Sequence, residues 1–204
     1  MQDSVSNVAM SAGRPPFSGV LCLAGFMGSG KSTVGLSLAR QLAWRFEDLD
    51  LRIEEQNQLS IPTIFERLGE PAFRQMEAGE LAALLGRSAE SRESLVLALG
   101  GGTYAQPGMI ERLRGAGAIV IWLDCPLELL LARCATMTNR PLFRDEASFR
   151  ALLASRLPFY EQADYRVAGD DEPARVVERI LALPVFAHLA GVTQPLSSTP
   201  WVKR

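Results

Sequence analysis

The run Gly25-Phe26-Met27-Gly28-Ser29-Gly30-Lys31-Ser32 decides the fold. It fits the pattern G-x-x-x-x-G-K-[ST]. VLCLAG (20–25) leads into it as an apolar run of strand length. From Lys31 to about Ala43 the chain then shows helical periodicity through Val34, Leu38, Ala39 and Leu42. A glycine-rich turn between a buried strand and a helix is the setting this motif requires. Glycines let the backbone curl until successive N–H groups face one point, and the helix N-terminus adds its partial positive charge there. Lys31 supplies a mobile cation for terminal phosphates, and Ser32 a hydroxyl for Mg²⁺. The expectation is a site for a nucleoside triphosphate.

Further apolar runs repeat the arrangement. WRFEDLD (44–50), SLVLALG (94–100), AIVIWLD (118–124) and YRVAG (165–169) read as strands. Helical patterns fall at about 50–57, 62–69, 71–86, 107–115, from Pro126 onward, at about 146–161 and over 172–183. Strands alternating with helices predict a parallel sheet joined by crossover helices, hence a three-layer α/β fold with helices on both faces. Residues 1–18 read as a flexible lead-in, 19–183 as the domain, and 184–204 as a tail. That tail is rich in Pro, Ser and Thr, yet it holds Val185, Phe186, Leu189 and Trp201.

Composition narrows the chemistry. The 204 residues are 48% hydrophobic, enough for a core without disulfides. Basic and acidic residues number 21 and 23, a net charge of -2, so no broad cationic face awaits nucleic acid or anionic lipid. Only Lys31 and Lys203 are lysines. His188 is the single histidine, which leaves a Ser-His-Asp triad or a cluster of histidine metal ligands almost nothing to work with. Cys22, Cys125 and Cys134 show no Cys-x-x-Cys spacing and read as reduced thiols. The N-terminus lacks a signal-peptide pattern, and no stretch approaches the ~20 apolar residues of a membrane span. A cytoplasmic protein is expected.

Beyond the phosphate loop, several residues suggest a second ligand. Strand period two puts Asp48 and Asp50 on one side of their strand, toward the edge where the phosphate loop lies. Asp48 then orients water on Mg²⁺ and Asp50 contacts an acceptor hydroxyl; the alternative is that Asp50 caps the next helix. Gly100-Gly101-Gly102-Thr103 lets a ligand approach the backbone, or is a permissive turn. No acid ends that third strand, so Asp48 is the nearest metal candidate. Arg74 is a ligand cation or the surface partner of Glu70 and Glu77. Arg156 is a ligand cation or a solvated helix residue. Arg140 lies in the polar stretch Thr136–Asp145, a lid or an exposed loop.

Together these residues resemble the shikimate kinases, within the nucleoside-monophosphate-kinase-like branch of P-loop folds. The resemblance runs from about Val20 to Leu183. It rests on GFMGSGKS, Asp48-Leu49-Asp50 with Ile53-Glu54, Phe73-Arg74 with Glu77, Gly100-Gly101-Gly102, Asn139-Arg140-Pro141-Leu142, and Arg156 with Pro158-Phe159-Tyr160. It implies a five-stranded parallel sheet of order 2-3-1-4-5 and a lid at about 136–146. Gly28, Ser29, Gly30, Lys31, Ser32, Thr33, Arg133 and Arg140 would serve ATP, with Arg133 against the adenine. Ser32 would bind Mg²⁺ directly and Asp48 through water. Asp50, Arg74, Gly100, Gly101, Gly102 and Arg156 would hold shikimate, with Lys31, Asp50 and Arg140 catalytic. The implied activity is phosphorylation of the shikimate 3-hydroxyl by ATP, on the route to chorismate and the aromatic amino acids, by a monomer. The rivals are a gluconate-type kinase and a silent nucleotide-binding scaffold. Phe46 and Glu47 depart from the family's usual approach to Asp48.

Overall fold

The computed structural model describes residues 18–135 and 145–189. Its centre is a five-stranded parallel sheet made of β1 (Val20–Ala24), β2 (Arg45–Asp48), β3 (Leu95–Ala98), β4 (Ile119–Asp124) and β5 (Tyr165–Ala168). The spatial order is β2-β3-β1-β4-β5, as the resemblance implied. β1 pairs with β3 from Val20 opposite Leu95 and with β4 from Leu21 opposite Ile119. Every residue of β1, β3 and β4 is buried except Asp124. The continuous apolar runs follow from this, because a parallel strand with helices on both faces needs no polar side.

Two cores sit on the two faces. Cys22, Leu97, Val120 and Trp122 point into one. It is closed by α2 (Leu49–Asn57), α3 (Ile61–Ser91), α4 (Met109–Gly115), α5 (Leu127–Ala135) and α6 (Glu146–Tyr160). Leu21, Leu23, Val96, Ile119 and Ile121 point into the other, against α1 (Lys31–Leu42), α7 (Pro173–Leu181) and α8 (Pro184–Leu189). Each fully buried Leu contributes roughly 1.5–3 kcal/mol. Phe186 of α8 is buried in this second core, so packing continues past residue 183.

Three local departures from the sequence reading have clear causes. β2 stops at Asp48 rather than 50, because Asp48 Oδ1 accepts the N–H groups of Asp50 (3.0 Å) and Leu51 (3.2 Å) and caps α2. Asp48, not Asp50, is therefore the cap, and Asp50 sits in the first helical turn, where strand alternation does not apply. The expected break between helices at about 62–69 and 71–86 is present at Gly69 (φ 80°, ψ 169°, outside the helical region), just before Pro71, which has no N–H to give, so α3 is two helical stretches joined at a kink. It also runs past Gly86, an exposed glycine inside the helix, to Arg92 in the left-handed region. No helix among the described residues is long and apolar enough to cross a membrane.

Candidate functional site

At the carboxyl ends of the strands the phosphate loop opens a cavity of about 470 Å³. Gly28, Ser29, Gly30, Lys31, Ser32 and Thr33 all line it. Gly28 has φ 79°, and a Cβ there would lie 3.0 Å from Cys134 Sγ, so α5 packs directly on the curl. Gly30, at φ 89°, starts α1 without a side-chain cap, leaving the helix N-terminus to the cavity. Lys31 Nζ donates to Gly25 O (2.9 Å) and Phe26 O (3.0 Å), which arches the lysine over its own loop. The Ser29 hydroxyl is buried and makes no hydrogen bond among the described residues.

Ser32 and Asp48 meet across the cavity floor, with Ser32 Oγ donating to Asp48 Oδ2 at 2.5 Å. A hydroxyl and a carboxylate are hard oxygen donors, the set that suits Mg²⁺, which fills its remaining positions with water and phosphate oxygens. The described residues hold no cluster of three or more His, Cys, Asp or Glu that could bind a metal unaided. The fit is to an ion that arrives with a nucleotide. Arg133 closes another side, where its Nη1 donates to Gly28 O (3.2 Å) and Gly169 O (3.3 Å). It thereby ties the phosphate loop to the turn after β5. Nearby, Cys125 is a buried free thiol, and burial raises its pKa.

A second cavity, of about 270 Å³, adjoins the first, and Asp50 and Gly101 line both. Glu54, Arg74, Glu77, Gly100, Gly102 and Arg156 supply its polar lining; Met27, Ile61, Pro62, Phe65 and Phe73 supply its apolar wall. The two arginines come from α3 and α6, far apart in sequence. They converge on Gly102, where a Cβ would lie 3.0 Å from Arg156 Nη2 and 3.1 Å from Arg74 Nη2. Gly100 is equally crowded, because a Cβ there would lie 2.5 Å from Asp50 Oδ1. The glycines are thus required by close approach.

The arginines differ electrostatically. Arg74 is paired, as the sequence suggested, but the pairing belongs to the cavity. Its Nη1 donates to Glu77 (2.9 Å), and its Nε and Nη2 donate to Glu70 (3.2 and 2.9 Å). Burial pulls its pKa down, but Glu77 and Glu70 outweigh it and raise the net value. Glu77 is 1% exposed and also accepts from Thr103 Oγ1 at 2.6 Å. Arg156 is 7% exposed, yet it makes no ion pair among the described residues. It donates to Gly101 O at 3.1 Å and sits over the Phe26 ring at 5.3 Å. Burial lowers its pKa and Arg74 adds to this, against the opposing pull of Tyr160. Glu77 acts on Arg156 only at longer range, and a buried guanidinium without a direct ion pair is costly unless an anion completes it.

A family model described as shikimate kinase matches residues 27–183. The chain belongs to the shikimate kinase family. A shikimate kinase of Synechococcus sp. (strain CC9605) is 44% identical over 168 residues, covering 80% of this chain and 81% of that one. A solved shikimate kinase from Acinetobacter baumannii, in complex with shikimate, is 40% identical with TM-score 0.74. It covers 83% of this chain and 94% of that one. A gluconokinase from Sinorhizobium meliloti, 22% identical with TM-score 0.55, shares the fold alone.

Measured against that family, the expected residues fall into two groups. Gly28 to Thr33, Asp48 and Arg133 line the first cavity, Arg74, Gly100, Gly102 and Arg156 the second, and Asp50 stands at the junction. Arg140 and most of the expected lid lie outside the described residues. Glu47 faces away from both cavities and pairs with Arg45 and Arg52. Sequence reading missed Asp171, Pro173 and Val176 in the first cavity, because the turn after the fifth strand carries no motif. It missed Glu54 and the apolar wall too. Glu54 stood in the sequence only as part of the Ile53-Glu54 pair; in the fold its carboxylate accepts the Ile61 N–H (2.8 Å) at the start of α3.

Proposed function

We propose that the protein transfers the terminal phosphoryl group of ATP to the 3-hydroxyl of shikimate. One observation carries this reading: Arg156, buried and without an ion pair among the described residues, converges with Arg74 on Gly102, in a cavity that meets the phosphate loop at Asp50. Shikimate is a small ring with one carboxylate and three hydroxyls. Arginines recognise a carboxylate by their forked donors. Arg156 makes no direct ion pair among the described residues, only a longer-range interaction with Glu77, and gains one. Arg74 exchanges its contact with Glu70, which is 58% exposed and worth only ~0–1 kcal/mol as a surface pair, while buried Glu77 keeps Nη1 in place.

With the carboxylate held there, the ring reaches toward Asp50. Asp50 accepts a hydrogen bond from the reacting hydroxyl and takes its proton as the oxygen attacks. Lys31 neutralises charge on the transferred group, and the backbone curl from Gly28 to Ser32 holds the phosphates in line. Ser32 directly and Asp48 through water would hold Mg²⁺, which would supply further charge neutralisation. Arg140, the other expected phosphate contact, is the second cation in this scheme. The apolar wall of Phe65, Phe73 and Ile61 excludes water and so disfavours ATP hydrolysis. We read the enzyme as a cytoplasmic monomer, which size-exclusion chromatography checks.

A coupled assay with ATP and a panel of hydroxy acids tests the reading. Shikimate should turn over, with gluconate inert. Turnover of gluconate without shikimate returns the gluconate-type kinase. Tight ATP binding with no turnover of any acid returns the scaffold.

A further inference from the structure

Gly101 lines both cavities, and its carbonyl is held twice: Tyr160 Oη donates to it at 2.5 Å and Arg156 Nη1 at 3.1 Å. The neighbouring carbonyls are also taken. Gly100 O accepts from Thr103 N (3.1 Å), and Gly102 O accepts from Gln106 Nε2 and Ala105 N (both 3.2 Å). The N–H groups of Gly101 and Gly102, by contrast, meet no acceptor among the described residues. The turn thus spends its acceptors on the protein and keeps its donors.

Peptide planarity turns this into a directional device. In a trans peptide the carbonyl of one residue and the N–H of the next point in opposite directions. Holding Gly101 O therefore fixes the direction of the Gly102 N–H. Gly102 lines the second cavity between the two guanidinium groups. Tyr160 is well placed to do the holding. It lies four residues after Arg156 on α6, so the two share a helix face. It is 1% exposed, and its ring stacks on Trp122 with centroids 5.9 Å apart. Burial pushes its phenol up to about 12 despite the opposing charge of Arg156, so it remains a donor at working pH.

We propose that Tyr160 is a positioning residue for the acid substrate: by holding the Gly101 carbonyl it presents the Gly102 N–H as a fixed donor to a substrate oxygen beside Arg74 and Arg156. The proposal rests on the phosphoryl-transfer reading above.

Steady-state kinetics of the wild type, Tyr160→Phe and Val177→Ala test it. Tyr160→Phe removes one oxygen and keeps the ring. It should raise KM for shikimate about tenfold, the effect of one lost hydrogen bond, with kcat within about threefold and KM for ATP within about twofold. Val177 is fully buried in the other core. Val177→Ala should lower Tm by several degrees with KM for shikimate unchanged. An unchanged KM in Tyr160→Phe, or equal rises in both KM values, overturns the positioning role. A wild type that does not phosphorylate shikimate overturns the proposed function instead. NMR of the wild type labelled with ¹⁵N-glycine stands independently of how the variant folds. The Gly102 amide should shift downfield on saturation with shikimate; a Gly102 amide that does not move contradicts the proposal.

Discussion

The two cavities share Asp50 and Gly101 but are built by opposite means. The nucleotide cavity is organised around backbone: one unbroken run from Gly28 to Thr33, shaped by glycines at positive φ and a bare helix start. Its neighbour is mostly side chain, with cations from α3 and α6 drawn together over a glycine turn and steadied by buried Glu77. A backbone site recognises what every nucleoside triphosphate has in common. A side-chain site recognises one acid. The difference assigns chemistry to the first cavity and the seam, and selectivity to the second.

Three changes sharpen or break that division. Lys31→Met removes the one cation inside the phosphate curl and should lower kcat by about 10³-fold, with the fold intact by circular dichroism. Residual turnover near wild type would detach the lysine from transfer. Asp50→Asn, at the seam, should lower kcat by about 10²-fold or more and leave ATP affinity within about twofold by calorimetry. A comparable loss of ATP binding would move Asp50 into the nucleotide cavity alone. Arg74→Lys keeps the charge but loses the fork, so KM for shikimate should rise about 10- to 100-fold with KM for ATP unchanged. Unchanged kinetics would leave Arg74 as the partner of Glu70 and Glu77 only.

The smallest effect concerns stability. Tyrosine in the unfolded chain ionises near pH 10, whereas Tyr160 in the fold holds its proton to about pH 12. Its folded pKa is raised, so its contribution is complete below pH 10 and is lost as pH rises from 10 to 12. Denaturant titrations should show wild type losing about 2–3 kcal/mol more than Tyr160→Phe across that window. Equal losses would mean the phenol is not shielded by the fold.

What was legible in the sequence follows the same division. The phosphate loop was readable because its residues are contiguous and its setting, strand then helix, is written on either side. The layers came through because apolar runs alternating with helical stretches leave few architectures, whereas the strand order came from the family resemblance. The acid cavity was readable only in fragments. Arg74 showed the same i−4 and i+3 glutamates as an ordinary surface ion pair, and nothing local reveals that Glu77 is buried. Asp48 and Asp50 were read with a strand's period because the competition between strand and cap is settled by one side-chain oxygen. Tyr160 stood in the sequence only as part of the stretch after Arg156; its hydroxyl matters because Gly101 lies beside it in space.

A crystal structure with shikimate and a non-hydrolysable ATP analogue addresses both cavities at once. The carboxylate should lie between Arg74 and Arg156, with a ring hydroxyl against Asp50 and facing the terminal phosphate above Lys31. An acid bound elsewhere, with both guanidinium groups turned to solvent and Asp50 touching no hydroxyl, would contradict the division of labour.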